Sequence, residues 1–384
     1  MATFVTGATG FLGSYLAAGL LAEGDAVNLL VRAKDPDSAK RRLWESLQFH
    51  FGFPEFREHL SSRITIFPGD LTAPRFSLSP DDHRRLVRTT DSIVHCAAAL
   101  NRRSERMCMD VNLRGTLAVI RLARAVQESG GLRRFSHVST VSVAGRRLHE
   151  TVAEDEAIDW ARSDYDAYGR TKKFAETMVR ELLQDVPITI FRPSIILGDG
   201  RRAETTQFDM VRAFSFLAGL PVLPFRPVDR IDIVPADWVG AAIVKLHRGA
   251  PAHDTYHLSA GRLSERYGRI TDAIAEALGG RRPLYLPALE KPFGGGVRAL
   301  TRVAGGHVQL GAKLLDAFFP YLVYDTVFDS SRVIAEIGVE PPPFSSYCTE
   351  LLRFARRQSF KYPHVEWPDA PAARERERVA GAAT

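Results

Sequence analysis

The sequence predicts an α/β protein: a doubly wound parallel sheet with a smaller, mainly helical C-terminal domain. Three observations predict it. A glycine-rich turn joins an apolar strand to an apolar helix at the start of the chain, strand and helix patterns then alternate as far as residue 200, and helical patterns take over from about residue 263. Continuous apolar strands alternating with helices indicate a sheet covered on both faces.

The opening segment, "ATFVTGATGFLGSYLAAGLLAEG", runs from a short strand through Gly7, Gly10 and Gly13 into a helix with apolar residues at Leu12, Leu16, Leu20 and Leu21. Its G-x-x-G-x-x-G spacing is the dinucleotide fingerprint with the first gap widened by one residue. Glycines permit a tight turn and close backbone approach, so a pyrophosphate can sit on the helix N-terminus. Thr6, Gly7, Thr9, Gly10, Phe11, Leu12 and Gly13 are therefore candidates to cradle a dinucleotide. A second strand, "AVNLLVRA", follows at the distance a βαβ unit needs, which makes the fold Rossmann-type. This strand ends on Arg32 and Lys34, where an NAD-selective chain would carry an acid. Two cations there favour a ribose 2'-phosphate, hence NADPH. The alternative is a solvated Arg32 with Asp35 or Asp37 reaching the ribose.

After an insertion, "DPDSAKRRLWESLQFHFGFPEFREHLSS", the third strand lies in "SRITIFPGDL", the fourth in "DSIVHCAAAL", the fifth in "RRFSHVSTVSVAG" and the sixth in "VPITIFRPSIILG". Chemistry is expected at the carboxyl ends of such strands. There the sequence offers Asp70 and Leu71 for an adenine, Ala97 and Ala98 for the dinucleotide backbone, and the hydroxyls of Ser139 and Thr140. The helix that follows holds "YDAYGRTKK". Tyr168 and Lys172 are four apart and rise from one helix face, whereas Tyr165 has Gly169 at its own fourth position. A phenol titrates near ~10 and is a weak acid–base at neutral pH until a nearby ammonium favours its phenolate. Tyr and Lys at this spacing also occur on solvated helix faces, so it is the convergence of hydroxyl, phenol and ammonium that argues for catalysis.

Past residue 200 the alternation fails. "RIDIVPADWVGAAIVKLHRG" and "DTYHLSAG" return to strand and helix, so the nucleotide domain is expected over 1–200 and 227–262 and a substrate domain over 201–226 and 263–364, with 365–384 a disordered tail. The aromatic "KLLDAFFPYLVYDTVF" reads as core of the small domain; lining an acyl pocket or making peripheral contact with a membrane is the alternative.

Composition narrows the partners. Of 384 residues, 45% are hydrophobic and 25% charged, so the chain should fold. Cys96, Cys108 and Cys348 make neither a paired framework nor a C-x-x-C spacing, and no metal site is expected. The net charge of +6 suits an anionic partner, but the arginine doublets Arg102-Arg103, Arg133-Arg134, Arg146-Arg147 and Arg201-Arg202 are scattered without interleaved aromatics, which argues against nucleic acid. "MATFVTGATG" leaves no room for a signal peptide, and no apolar run suits a bilayer, so a cytoplasmic protein is expected. Oligomeric state is not written in the sequence.

Taken in order, "TGATGFLG", "LVRAKD", "GDLTAP", "VHCAAALN", "VNLRGT", "HVSTVSVAG", "YGRTK", "FRPSIILGD" and "DIVPADWVGAAI" resemble the extended short-chain dehydrogenase/reductase superfamily, and within it the thioester reductase and fatty acyl-CoA reductase branch. The resemblance covers about residues 1 to 262. It implies Thr140 as the catalytic hydroxyl, with Ser139 its backup, Tyr168 as the acid, and Lys172 as the residue that lowers the phenol pKa and bonds the nicotinamide ribose. It places Pro193 and Ser194 beside the nicotinamide amide, and Asn112 near the strand-four cofactor loop without a proton-transfer role. The implied reaction is NADPH-dependent reduction of an acyl thioester to an aldehyde, with an alcohol after a second hydride. With no adenylation or carrier domain ahead of the reductase, the acyl group is expected from acyl-CoA or a separate acyl or peptidyl carrier protein. The rivals are an NADPH-dependent ketone or alcohol oxidoreductase acting on a β-ketoacyl or sterol-like substrate, a sugar-nucleotide epimerase or dehydratase, and a non-catalytic NADPH-binding regulator.

Overall fold

Five-residue apolar stretches such as Ala2–Thr6 and Val27–Val31 are buried along their whole length, as strands covered on both faces must be. The computed structural model describes residues 1–100, 104–303, 305, 309, 312–316, 319–323 and 325–368. Its central sheet has seven strands: β1 (Ala2–Thr6), β2 (Val27–Val31), β3 (Ile64–Pro68), β4 (Thr90–His95), β5 (Arg134–Val138), β6 (Ile188–Pro193) and β7 (Thr255–Leu258). Their spatial order is β7-β6-β5-β4-β1-β2-β3, and every pairing is parallel. The order reverses between β1 and β4, and at such a switch point the strand ends open a crevice for a ligand.

Each face of the sheet has its own apolar layer. On one side pack α1 (Phe11–Ala22), α2 (Pro36–Leu47) and α3 (Phe53–Ser62), through Leu16, Leu20, Leu43, Trp44 and Phe56. On the other lie α4 (Pro80–Thr89), α5 (Gly115–Gly130) and α6 (Ala167–Leu182), through Leu86, Val119, Ile120 and Val179. Each fully buried leucine contributes about 1.5–3 kcal/mol. Capping fixes where the helices begin. Asp35 accepts the Ser38 amide at 2.8 Å ahead of Pro36 in α2, and Asp166 accepts the Gly169 amide at 2.9 Å ahead of α6.

A separate core builds the smaller domain, from α7 (Asp209–Leu217), α9 (Tyr267–Leu278), α10 (Glu290–Val303) and α12 (Cys348–Arg357). Its membership corrects the expected boundaries in two places. Ile231 and Ile233, assigned by pattern to the nucleotide domain, belong to this second core. Conversely Val333 of α11 (Ser331–Ile337) packs with Trp238 and Ile243 of α8 (Ala236–Arg248) in the core of the nucleotide domain. A two-residue strand cannot declare by its pattern which layer it will cover. Leu315 and Leu322 of the aromatic segment are small-domain core, Tyr321 faces the cleft described below, and Ala317, Phe318 and Tyr324 lie outside the described residues.

The expected tail begins too early. Val365 donates its amide to Gln48 Oε1 at 2.6 Å and accepts Trp44 Nε1–H at 3.0 Å, and Trp367 meets Phe53 edge-on at 5.1 Å. Paired backbone and the half-buried indole of Trp367 hold residues 365–368 on the α2–α3 insertion, while 369–384 lie outside the described residues. Among the described residues, no helix is long and apolar enough to cross a membrane.

Candidate active site

The chain turns from β1 into α1 at Gly7, whose φ of +80° is a conformation that side chains with a Cβ rarely adopt. Space forbids one as well: a Cβ on Gly7 would lie 2.8 Å from the Ala97 amide nitrogen, and one on Gly13 only 1.9 Å from the Gly7 carbonyl oxygen. Gly10 precedes α1 without a side-chain cap, leaving the first-turn amides of the helix for an anion. The turn is locked to β4 by a chain of bonds. Thr116 Oγ1 donates to the Asn112 carbonyl, so it accepts His95 Nε2–H at 2.9 Å; His95 Nδ1 then accepts the Thr6 hydroxyl at 2.7 Å, and Thr6 Oγ1 accepts the Ala97 amide at 3.3 Å. Burial pushes His95 down to about 3, consistent with this neutral tautomer.

A cleft of about 590 Å³ opens over these strand ends. The structure brings into its wall Thr6, Gly7, Thr9, Gly10, Phe11, Leu12, Gly13, Arg32, Asp70, Leu71, Ala97, Ala98, Ser139, Thr140, Tyr168, Lys172, Pro193 and Ser194. Lys34 and Asn112 it does not. Lys34 is exposed outside the cleft, and Asn112 is buried beneath it, its Oδ1 accepting the Ala99 amide at 2.7 Å and its Nδ2 donating to Ala99 O and Thr171 Oγ1. Asn112 thus braces the loop after β4 against α6, with its amide fully used.

Sequence reasoning missed Arg42. It lines the cleft from the first turns of α2 and donates to the Arg32 carbonyl at 2.9 Å, placing a second guanidinium beside Arg32. The rival carboxylates are engaged elsewhere: Asp35 caps α2 and Asp37 pairs with Lys40 at 2.9 Å. Ser142, also missed, lines the cleft with its hydroxyl 3.0 Å from that of Thr140. Between the two hydroxyl candidates at the end of β5, the bonds discriminate. Ser139 donates to the buried carboxylate of Glu176 at 2.7 Å, while among the described residues the Thr140 hydroxyl is held by its neighbour Ser142 alone.

Tyr168 and Lys172 stand one turn apart on α6, both buried and both on the cleft wall. Lys172 Nζ donates to the Val138 carbonyl, and burial pushes the ammonium down to about 8 against the opposing pull of Cys96 and Glu176. Because the folded value lies below the ordinary 10.5, the unfolded chain binds more protons between the two, and stability rises with pH across that window. Urea denaturation at pH 7.5 and 9.5 should show this gain in the wild type and not in Lys172→Met; equal slopes would contradict it.

A larger groove, about 1070 Å³, lies between α1 and α8, and many of its polar groups already bond one another. Arg248 pairs with Glu23 and Asp25, Arg201 with Asp237, and Tyr15 bonds Asp199 at 2.8 Å. Among the described residues His149, Asp229 and Asp325 approach closely enough to share an ion, yet His149 Nδ1–H donates to Asp325 at 2.9 Å and Asp325 holds the Arg230 amide, which accounts for the grouping. The arginine doublets form no single patch: Arg147 is buried between Glu150 and Glu156, and Arg102 and Arg103 lie outside the described residues.

Comparison with known proteins identifies the chain's relatives. The family model described as "Male sterility protein", an NAD-binding family, matches residues 5–243. Nonribosomal peptide synthetase asaC of Aspergillus flavus is 30% identical over 63% of the chain, an alignment spanning 24% of that protein. Isonitrile lipopeptide synthase of Mycobacterium tuberculosis is 34% identical over 51% of the chain and 8% of its own length. Fatty acyl-CoA reductase wat of Drosophila melanogaster is 26% identical over 54% of the chain and 45% of its length. The chain thus matches less than half the length of these relatives. Among solved structures, the terminal R domain of the myxalamid PKS-NRPS pathway superposes with a TM-score of 0.80 at 24% identity, covering 95% of this chain and 92% of that one. The chain belongs to the male sterility family of NAD-binding proteins, the thioester reductase and fatty acyl-CoA reductase branch of the extended short-chain dehydrogenase/reductase superfamily.

Proposed function

We propose that this chain is an NADPH-dependent reductase of activated acyl groups, converting an acyl-CoA or carrier-protein thioester to an aldehyde and, with a second hydride, to an alcohol. The observation that carries it is the meeting of Thr140, Tyr168 and Lys172 on the wall of a cleft whose other end is the Gly7–Gly13 turn. Relatives named for fatty acyl-CoA and carboxylic acid reduction, and a solved thiolation-reductase di-domain, favour a thioester over a ketone.

The residues fit a nicotinamide dinucleotide. The glycine turn leaves the space a pyrophosphate needs, Arg32 and Arg42 would hold a 2'-phosphate, and Asp70 to Leu71 would border the adenine. When bound, the cofactor supplies the hydride. The chain's part is to hold the acyl carbonyl oxygen between the Thr140 and Tyr168 hydroxyls, stabilise the charge that develops there, and deliver the Tyr168 proton to it. The hemithioacetal so formed breaks its C–S bond, releasing aldehyde and thiol.

Arg32→Ala should weaken NADPH binding by about 10–100-fold, the worth of a lost charge-assisted phosphate contact, with Arg42→Ala next and NADH binding unchanged in both. Titration of cofactor fluorescence would measure it, and an equal loss for NADH would remove the 2'-phosphate assignment. The function itself is tested by NADPH oxidation on a panel of acyl-CoA thioesters and matched ketones with thiol counted in parallel. Stoichiometric thiol supports the thioester reductase, whereas ketone turnover without thiol replaces it with the ketone oxidoreductase.

A further inference from the structure

The mechanism above leaves Ser142 without a task, although it is 3% exposed and stands on the cleft wall beside Thr140. We propose that Ser142 is a positioning residue that turns the Thr140 hydroxyl into an obligate hydrogen-bond donor toward the reacting carbonyl, a role that rests on the carbonyl-reducing function proposed for Thr140.

A threonine hydroxyl has one hydrogen and two acceptor lone pairs. Thr140 Oγ1 accepts the Ser142 amide at 3.2 Å, which uses one of them. Its contact with Ser142 Oγ at 3.0 Å runs in either direction. If Thr140 donated, it would spend on Ser142 the hydrogen that the carbonyl needs. If Ser142 donates, both Thr140 lone pairs are filled and its hydrogen has nowhere to go but the cleft.

Only the second arrangement leaves Thr140 a hydrogen for the reacting carbonyl, and it calls for a donor to the Ser142 oxygen. Ser142 also lines a small chamber of about 50 Å³, whose wall joins polar Ser194, Arg230, Asp232 and Asp325 to apolar Ile231 and Phe328. A cavity of this size has room for water beside the polar part of its wall. Donors in the chamber can serve the Ser142 oxygen, whose own hydrogen is then free for Thr140. The hydrogen bonds run one way, from chamber to Ser142 to Thr140 to substrate oxygen. In a buried site such a chain strengthens each member, most of all as negative charge grows at its end.

The test is a double-mutant cycle on Ser142→Ala and Thr140→Val, with kcat, KM and melting temperature measured on whichever carbonyl the wild type reduces. Ser142→Ala should lower kcat about fivefold to tenfold, the worth of one hydrogen bond, with KM and melting temperature nearly unmoved. In the Thr140→Val background the same change should cost nothing further, because its route to the substrate is gone. Ser142→Thr, which keeps the hydroxyl and can point its methyl into the chamber, should restore turnover. An equal loss in both backgrounds, or no loss in the first, overturns the role. Wild-type turnover of ketones without thiol release would sink the thioester reading alone, leaving the cycle valid; failure to reduce any carbonyl would sink both.

Discussion

Tyr168→Phe is expected to lower kcat about 10³-fold, within the range that a positioned acid contributes. The phenylalanine keeps the ring that packs at 8% exposure on α6 and removes only the oxygen that gives the proton. Cofactor affinity should be unchanged, since the glycine turn, Arg32 and Arg42 are untouched, so the loss should fall on turnover and not on NADPH binding. Thiol release and NADPH oxidation should fall together. Residual rate is expected from Thr140 and from orientation in the cleft. Stopped assays of both products decide it: a variant retaining more than roughly a tenth of wild-type kcat could not have lost its principal acid.

The proposed reacting pair is legible in the sequence because it is local. Tyr168 and Lys172 are separated by one helical turn, and Gly7, Gly10 and Gly13 by one loop, so spacing proposes each group and its neighbours along the chain strengthen it. What spacing cannot carry is the competition for a side chain's bonds. Ser139 and Thr140 are neighbours on one strand end, and it is the buried Glu176 that engages the first and leaves the second as the proposed donor. Arg42 lies in an insertion whose register depends on the Asp35 cap, so its arrival beside Arg32 needed the folded helix. Asn112 resembles a cofactor contact by motif, yet the loop after β4 consumes its amide. Domain edges failed for a related reason, since Ile231 and Val333 are apolar in either core and only packing chooses between them.

Glu176 marks the largest expected effect on stability. It is fully buried, and its carboxylate accepts Arg192 Nη2 at 2.7 Å, Arg192 Nε at 3.2 Å, Ser139 Oγ at 2.7 Å and Arg180 Nη2 at 3.3 Å. Burial pushes its carboxyl upward, but the guanidinium of Arg192 outweighs that and holds it below the ordinary glutamate value. Among the described residues, Glu176 is the one carboxylate that pairs with Arg192. His257 donates its Nδ1–H to the Asp329 carbonyl and presents Nε2 to Arg192 at 3.4 Å only as a neutral acceptor, burial having pushed it down to about 3. Glu176→Gln therefore strands a buried cation, and urea denaturation should show a loss of about 3–5 kcal/mol. Replacing both partners by methionine should recover much of that stability, because the pair's own desolvation cost disappears with it. Activity should not return. The pair ties α6, which carries Tyr168 and Lys172, to Ser139 at the end of β5 and to Arg192, which precedes Pro193 and Ser194 on the cleft wall, so apolar substitutes refill the volume without aiming the strand ends. A double variant both stable and fully active would reduce this network to packing; a stable, inactive one would assign it to holding the catalytic groups in register.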